Sequence, residues 1–218
     1  MNRNSAAYTF IFILVISIVF GAGVSIVHYA TLDTLAKNEA LNRNRVVCNA
    51  FLLPVESDMP EAFQKAIDTH IETKTLMAKG MSYTTLLRKN SANPDVGFVF
   101  SGMGFWDKIE GIIVLSADLS RVVNIQFLDQ KETPGLGARI EEPWFTDQFK
   151  GLEIDWTDDE ARRLIIGTSS DPSAGNRVDA ITGASQTSLA LEKLLNDELN
   201  RFHKVYRVYQ SDKDDVDG

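Results

Sequence analysis

Two short segments of the chain carry residue types that can handle a ligand. The first is Glu132-Thr133-Pro134-Gly135-Leu136-Gly137, directly after a β-branched run. Pro134 fixes one φ, while Gly135 and Gly137 permit positive φ or close backbone approach, so the segment can hold exposed amides against a ligand. An ordinary tight turn before a helix has the same composition. The second is Asp179-Ala180-Ile181-Thr182-Gly183-Ala184-Ser185-Gln186-Thr187-Ser188, which opens the strongest helical pattern in the chain. A helix N-terminus presents unpaired N–H groups and a partial positive charge, and Gly183 and Ala184 leave room for a bulky anion such as phosphate. Thr182, Ser185, Thr187 and Ser188 can equally do no more than cap the helix. Spacing alone leaves both readings open.

Other chemistries fail on pattern. Gly183-Ala184-Ser185-Gln186-Thr187 lacks the last glycine of a G-x-S-x-G nucleophile elbow, and the only downstream histidine, His203, falls on the same helix several turns away. There is no H-E-x-x-H and no Walker-type loop, and Gly102-Met103-Gly104 continues as Phe105-Trp106-Asp107 rather than as a dinucleotide fingerprint. Glu153, Asp155, Asp158, Asp159 and Glu160 crowd one stretch, and Asp212, Asp214, Asp215 and Asp217 another; neither follows the EF-hand pattern, so a solvated loop and a frayed terminus are expected. His70 has no partner at ligand spacing and reads as a surface histidine. No metal site and no catalytic residue are assigned.

The elements that position the two motifs follow from periodicity. No Asp, Glu, Lys or Arg occurs between Arg3 and Asp33, and Tyr8 to Ala30 is almost wholly apolar. At 1.5 Å per residue that stretch reaches about 34 Å, enough to cross a hydrocarbon core of about 30 Å. It reads as a transmembrane helix, and it exceeds the length usual for the apolar region of a cleaved signal peptide. Lys and Arg counts on its flanks do not fix its orientation. Asp33 to about Leu53 is helical in pattern, a stalk with Cys48 as a small core residue, and Glu61 to about Met77 predicts a second, weaker helix. Phe98–Phe100, Ile109–Leu115, Val122–Leu128 and Arg163–Ile166 read as strands, with a hairpin-type connection over 116–120. Ile140–Phe149 predicts a short helix with Pro143 in its first turn, and Leu189–Phe202 an amphipathic one. Strands flanked by helices give an α+β domain.

Composition narrows the partners. The 218 residues have room for one substantial domain plus an appendage. Thirty acidic against twenty-two basic residues give a net charge of −8, which repels phosphodiester backbones and argues against nucleic acid. A single cysteine excludes an internal disulfide framework and any thiolate cluster.

Taken together, the two glycine motifs resemble the FMN-binding domain shared by the C component of the sodium-pumping NADH:quinone oxidoreductase and the G component of the Rnf electron-transport complex. The second motif of that family runs D-x-x-S/T-G-A-S/T, and its last hydroxyl carries FMN through a phosphoester; that position here is Ser185, where threonine is commoner. Gly102-Met103-Gly104-Phe105-Trp106 resembles the quinone-oxidoreductase branch more than the Rnf branch.

The resemblance implies a single N-terminal transmembrane helix followed by a mixed α+β FMN-binding domain. The expected organisation is an N-terminal tail and span (1–32), a helical stalk and linker (33–60), the FMN-binding domain (61–208) and an acidic tail (209–218). It further implies covalent FMN on Ser185, with Asp179, Thr182, Gly183 and Ala184 around the phosphate. Glu132, Thr133, Gly135, Leu136 and Gly137, together with Phe105 and Trp106, would lie around the flavin, and Arg177 or Arg139 would supply charge. Phe105 and Trp106 serve as well as core residues on size alone. The implied partners are the membrane, other subunits of an ion-translocating redox complex and a flavin transferase using FAD, with the domain on the periplasmic side of the inner membrane. The alternative is an anchored, non-redox scaffold subunit that keeps the fold without the flavin.

Overall fold

The computed structural model describes residues 6–78, 80–91, 93–157, 162–167 and 174–217. Two compact units divide the chain, residues 1–42 and 43–218. In the first, helix α1 (Ala6–Ala50) begins with an apolar stretch that no part of the protein buries, long and apolar enough to cross a membrane. Phe10, Ile13, Phe20 and Ile26 are all exposed along it. No face of this stretch is polar, which is the pattern of a helix whose solvent is lipid.

In the second unit the end of α1 changes character. Val46, Val47, Cys48 and Ala50 are buried, and Asn124 ties the helix end down by donating to the Asn49 carbonyl at 2.9 Å. Cys48 packs as a core residue, its Sγ 3.6 Å from the Phe63 carbonyl. Helix α2 (Pro60–His70) follows, with proline in its first turn, where a missing N–H costs nothing. His70 ends α2, half-buried.

The sheet is a five-stranded antiparallel meander in sequence order: β1 (Ile71–Ala78), β2 (Met81–Arg88), β3 (Val96–Met103), β4 (Lys108–Leu115) and β5 (Val122–Asp129). The helix expected to run to Met77 stops at His70 instead, and β1 pairs with β2 from Ile71↔Arg88 to Ala78↔Met81. Ile71, Thr73 and Thr75 are β-branched at alternate positions, and Ile71, Leu76 and Ala78 are buried. The alternation of branched residues favours a strand over a continuing helix. Three of the four strands read from sequence lie within β3, β4 and β5, and the fourth, Arg163–Ile166, is a strand only over its last two residues, Ile165–Ile166.

After β5 the chain runs through a 3₁₀ turn (Gly137–Glu141), the short helix α3 (Pro143–Thr146) and a second 3₁₀ turn (Asp147–Phe149). A two-stranded parallel pair, β6 (Ile165–Ile166) with β7 (Arg177–Val178), precedes helix α4 (Ser185–Asp217). That helix extends past the Phe202 end read from apolar spacing and through the stretch expected to fray. Asp158, Asp159 and Glu160 of the acidic stretch lie outside the described residues.

α4 lies against the sheet, and Leu191, Leu194, Leu195, Leu199 and Phe202 enter the core with Phe98, Phe100 and Ile125. Phe202 stacks on Phe98 with ring centroids 4.2 Å apart, and Tyr83 meets both rings edge-on. Burying Phe202 fully is worth roughly 1.5–3 kcal/mol, enough to fix how α4 seats on the sheet and hence where its N-terminus sits.

Candidate functional site

Three segments distant in sequence meet at one end of the sheet. Phe105 and Trp106 form the tip between β3 and β4, where the Gly104 N–H donates to the Asp107 carbonyl at 2.8 Å. The 132–137 loop leaves the same end after β5, and the first turn of α4 starts there. Between them lies a cavity of about 370 Å³ lined by Phe105, Trp106, Thr133, Leu136, Gly137, Gly183, Ala184, Ser185, Gln186 and Thr187. That size is within the range of small-molecule and cofactor sites. A larger groove of about 630 Å³, on β2, β3 and α4, includes no motif residue.

Local geometry explains each glycine motif. Gly135 and Gly183 adopt φ of +76° and +83°, the left-handed region where a side chain is strained. In the first loop the Leu136 and Ala138 N–H groups both donate to the Thr133 carbonyl, at 3.1 and 3.2 Å, which closes the turn. In the second, the Ala184 N–H donates to the Ile181 carbonyl at 3.0 Å, and α4 begins immediately after. In the first turn of α4 the Ser188 N–H donates to the Ala184 carbonyl at 3.0 Å, while Ser185, Gln186 and Thr187, whose N–H groups have no carbonyl one turn earlier within the helix, line the cavity at the positive end of a 33-residue helix.

The four hydroxyls of the second motif have separate fates. Ser188 is buried; it accepts from the Ile181 N–H at 3.2 Å and donates to the Ala184 carbonyl at 3.1 Å, locking the loop to the helix. Thr187 is also buried, and its hydroxyl donates to Glu132 Oε2 at 2.7 Å. Thr182 and Ser185 are exposed. Of these four, Ser185 alone is both exposed and part of the cavity lining, at the first residue of α4.

The remaining expected residues divide into three groups. Gly183, Ala184, Thr133, Leu136, Gly137, Phe105 and Trp106 line the cavity together with Ser185. Phe105 and Trp106 are 49% and 65% exposed, which overturns the core reading of the pair. Their rings pack on each other with centroids 5.0 Å apart, leaving broad apolar surface open to a ligand. Asp179, Thr182 and Gly135 belong to the same two loops but stand outside the lining, and Glu132 lies behind it.

Arg177 pairs with Asp179 and donates to the Gly167 carbonyl; Arg139 pairs with Glu142 at 3.2 Å and covers the Trp144 ring. Neither reaches the lining. An anion here would be held by amides and the helix end rather than by a cation. His203 stacks on Trp156 about 27 Å along α4 from Ser185, too far to act on it as a base.

Sequence reasoning missed Gln186 as a lining residue and took Thr187 and Ser188 for capping or surface hydroxyls. The burial of Thr187 depends on the close approach of the 132–137 loop, to which short-range sequence gives no clue.

Residues 104–200 match the family model of the FMN-binding domain, in agreement with the resemblance carried by the two motifs. The chain is similar to the C component of the Na(+)-translocating NADH-quinone reductase of Pasteurella multocida, at 36% identity over 104 residues, 47% of this chain and 40% of that protein. Its counterpart in Pseudomonas aeruginosa is 34% identical over 99 residues, 44% of this chain and 38% of that one. The chain thus spans about two fifths of the length of the curated relatives it matches.

Among solved structures, the crystal structure of the same component of the Na(+)-translocating NADH-quinone reductase from Parabacteroides distasonis superposes with a TM-score of 0.65 at 20% identity, covering 79% of this chain and 94% of that one. Shewanella oneidensis NqrC gives 0.61 at 16% identity, covering 73% and 91%. At these identities the likeness establishes the fold of the matched part, an antiparallel sheet with packed helices.

Proposed function

We propose that this chain, which carries an FMN-binding domain match over residues 104–200, is a membrane-anchored flavoprotein subunit of an ion-translocating NADH:quinone oxidoreductase complex. It relays electrons within that complex and is not an independent catalyst. The observation that carries the reading is the convergence of both glycine motifs and the Phe105-Trp106 tip on one cavity, with the exposed Ser185 hydroxyl on its lining. The relatives' names support the quinone-reductase branch, as the Gly102–Trp106 segment does.

The residues present fit FMN in two respects. Phe105, Trp106, Leu136 and Ala184 give apolar walls to a planar ring, and the first-turn amides of α4 give donors to a phosphate. FMN supplies the electron-transfer chemistry when bound; the protein supplies binding, orientation and electrostatics. Ser185 anchors the phosphate where the helix end favours negative charge, and Gly183 keeps backbone rather than side chain at that point. Thr182 and Asp179 flank the approach.

Attachment requires a group transfer from FAD by a separate flavin transferase. Ser185 Oγ would form a bond to the flavin-side phosphorus as the pyrophosphate P–O bond breaks, with AMP as the leaving group and the hydroxyl proton passing to it or to water. No oxidant or reductant enters this step. The anchor is the apolar part of α1, retained in the inner membrane, with the domain on the periplasmic side and other subunits of the complex beside it.

Co-expression with an active flavin transferase tests the reading. Peptide mass spectrometry of the 178–193 region is expected to find FMN minus water on Ser185. Ser185→Ala should abolish flavin fluorescence that survives denaturing electrophoresis, and Ser185→Thr should keep it. An unmodified wild-type Ser185 under these conditions overturns the reading in favour of a scaffold subunit without flavin.

A further inference from the structure

We infer that Glu132 is a positioning residue: its buried carboxylate ties the Phe105-Trp106 tip to the first turn of α4 and so sets the width of the cavity, without itself touching the ligand. The inference rests on the flavin reading above for its functional consequence, but its geometry stands apart from it.

Glu132 is 4% exposed and lies behind the cavity lining. Three donors from two distant segments converge on it. The Phe105 and Trp106 N–H groups donate to Oε1 at 2.8 and 3.0 Å, and the Thr187 hydroxyl donates to Oε2 at 2.7 Å. Its own N–H donates to Gln130 Oε1 at 2.7 Å, which fixes the backbone from which the side chain reaches. Among the described residues no Lys, Arg or His forms an ion pair with it. A carboxylate taken out of water is costly unless hydrogen-bonded, so these three donors are what make the position tenable.

Two glycines make room for the same side chain. A β-carbon on Gly104 would stand 2.5 Å from Glu132 Oε1, and one on Gly137 would stand 2.9 Å from Oε2 and 2.5 Å from Thr187 Oγ1. Gly104 before the aromatic tip, Glu132 and Gly137 of the first glycine motif and Thr187 of the second therefore form one arrangement. Each wall of the cavity is bonded to the same carboxylate, so the separation between the aromatic tip and Ser185 depends on it.

Removing the Thr187 hydroxyl leaves Oε2 buried without a donor, and the strain passes to the amides on Oε1. Removing the Glu132 charge while keeping its shape takes a negative charge away from beside the ligand, which favours the more electron-rich state of a bound flavin.

The test uses the full chain in detergent. Without flavin, amide hydrogen exchange at Phe105 and Trp106 should accelerate about tenfold in Thr187→Val, corresponding to loss of one buried hydrogen bond, and should return to the wild-type rate in Thr187→Ser. With the transferase and FAD, Thr187→Val should acquire flavin on Ser185 more slowly and Thr187→Ser at the wild-type rate. Glu132→Gln should shift the midpoint potential of the attached flavin to a more positive value. Unchanged exchange in Thr187→Val, or an unchanged potential in Glu132→Gln, overturns the inference. If Thr187→Val does not fold, exchange at Phe105 and Trp106 in Glu132→Gln decides instead, with acceleration expected. If the wild-type chain takes up no flavin, the functional reading fails while the exchange measurement still decides the tie.

Discussion

Leu136 leans over Gly183: its Cδ2 stands 3.2 Å from where a β-carbon on that glycine would be. This contact joins the tips of the two glycine motifs, and Gly183 holds φ at +83° there. Gly183→Ala therefore meets two obstacles, backbone strain and a leucine that must move. We expect a loss of about 1–2 kcal/mol in urea unfolding of the full chain, together with slower flavin attachment at the neighbouring Ser185. A variant as stable as wild type would mean that the loop relaxes without resistance.

Gly135 and Gly137 differ in why they are glycine. Gly135 has φ +76° but open space around it, whereas the position of Gly137 is crowded by Thr187 and Glu132. Gly135→Asn should be mild, because asparagine tolerates the left-handed region, and Gly135→Val should cost about 1–2 kcal/mol. Gly137→Ala should cost about 1–3 kcal/mol through overpacking and should impair flavin attachment more than either. The ordering of the three variants in unfolding and loading assays is the measurement; a harmless Gly137→Ala would contradict the crowding.

Asp118 gives a pH-dependent contribution on the β4–β5 connection. Hydrogen bonds from the Ser116 hydroxyl, at 2.6 Å, and from the Ser120 N–H and hydroxyl hold its carboxyl down to about 2. A depressed folded-state value stabilises the fold above the unfolded-state value, roughly 3.9, and the gain is lost as pH falls through the folded one. The stability difference between wild type and Asp118→Asn should stay constant from neutral pH to about 5 and shrink between about 4 and 2. A difference that persists undiminished at the acid end would exclude the ionised carboxylate as its source.

What the sequence revealed depended on the range of the interaction. The apolar span, the cores of β3 to β5 and α4 follow from local period; the D-x-x-T-G-A-S pattern is contiguous, so the family resemblance could single out Ser185 where spacing alone left a capping hydroxyl equally open. β1 was obscured because Phe63, Ala66 and Ile67 set a helical spacing that carries the eye past His70, although Ile71, Thr73 and Thr75 already alternate. Phe105 and Trp106 stayed ambiguous because ring size marks core and cavity wall alike. Thr187 was misread because its partner lies 55 residues away, and only the seating of α4 by Phe202 and Leu194 brings the two together.

Tyr8 to Ala30 has no charged residue and stands fully outside any packed core, so the energetics of a span of about 20 apolar positions favour lipid over water. A retained span keeps the chain in the membrane fraction through alkaline carbonate washing, whereas cleavage at Gly21-Ala22-Gly23, whose small residues could pass for a signal-peptide cleavage site, would release a shorter, soluble product. With the domain on the outer side, protease added to intact spheroplasts should digest everything beyond about Asp33, and a tag placed before Ala6 should remain protected. Full protection of the domain would reverse the proposed orientation, and a soluble product beginning after Gly23 would replace the anchor with a signal peptide.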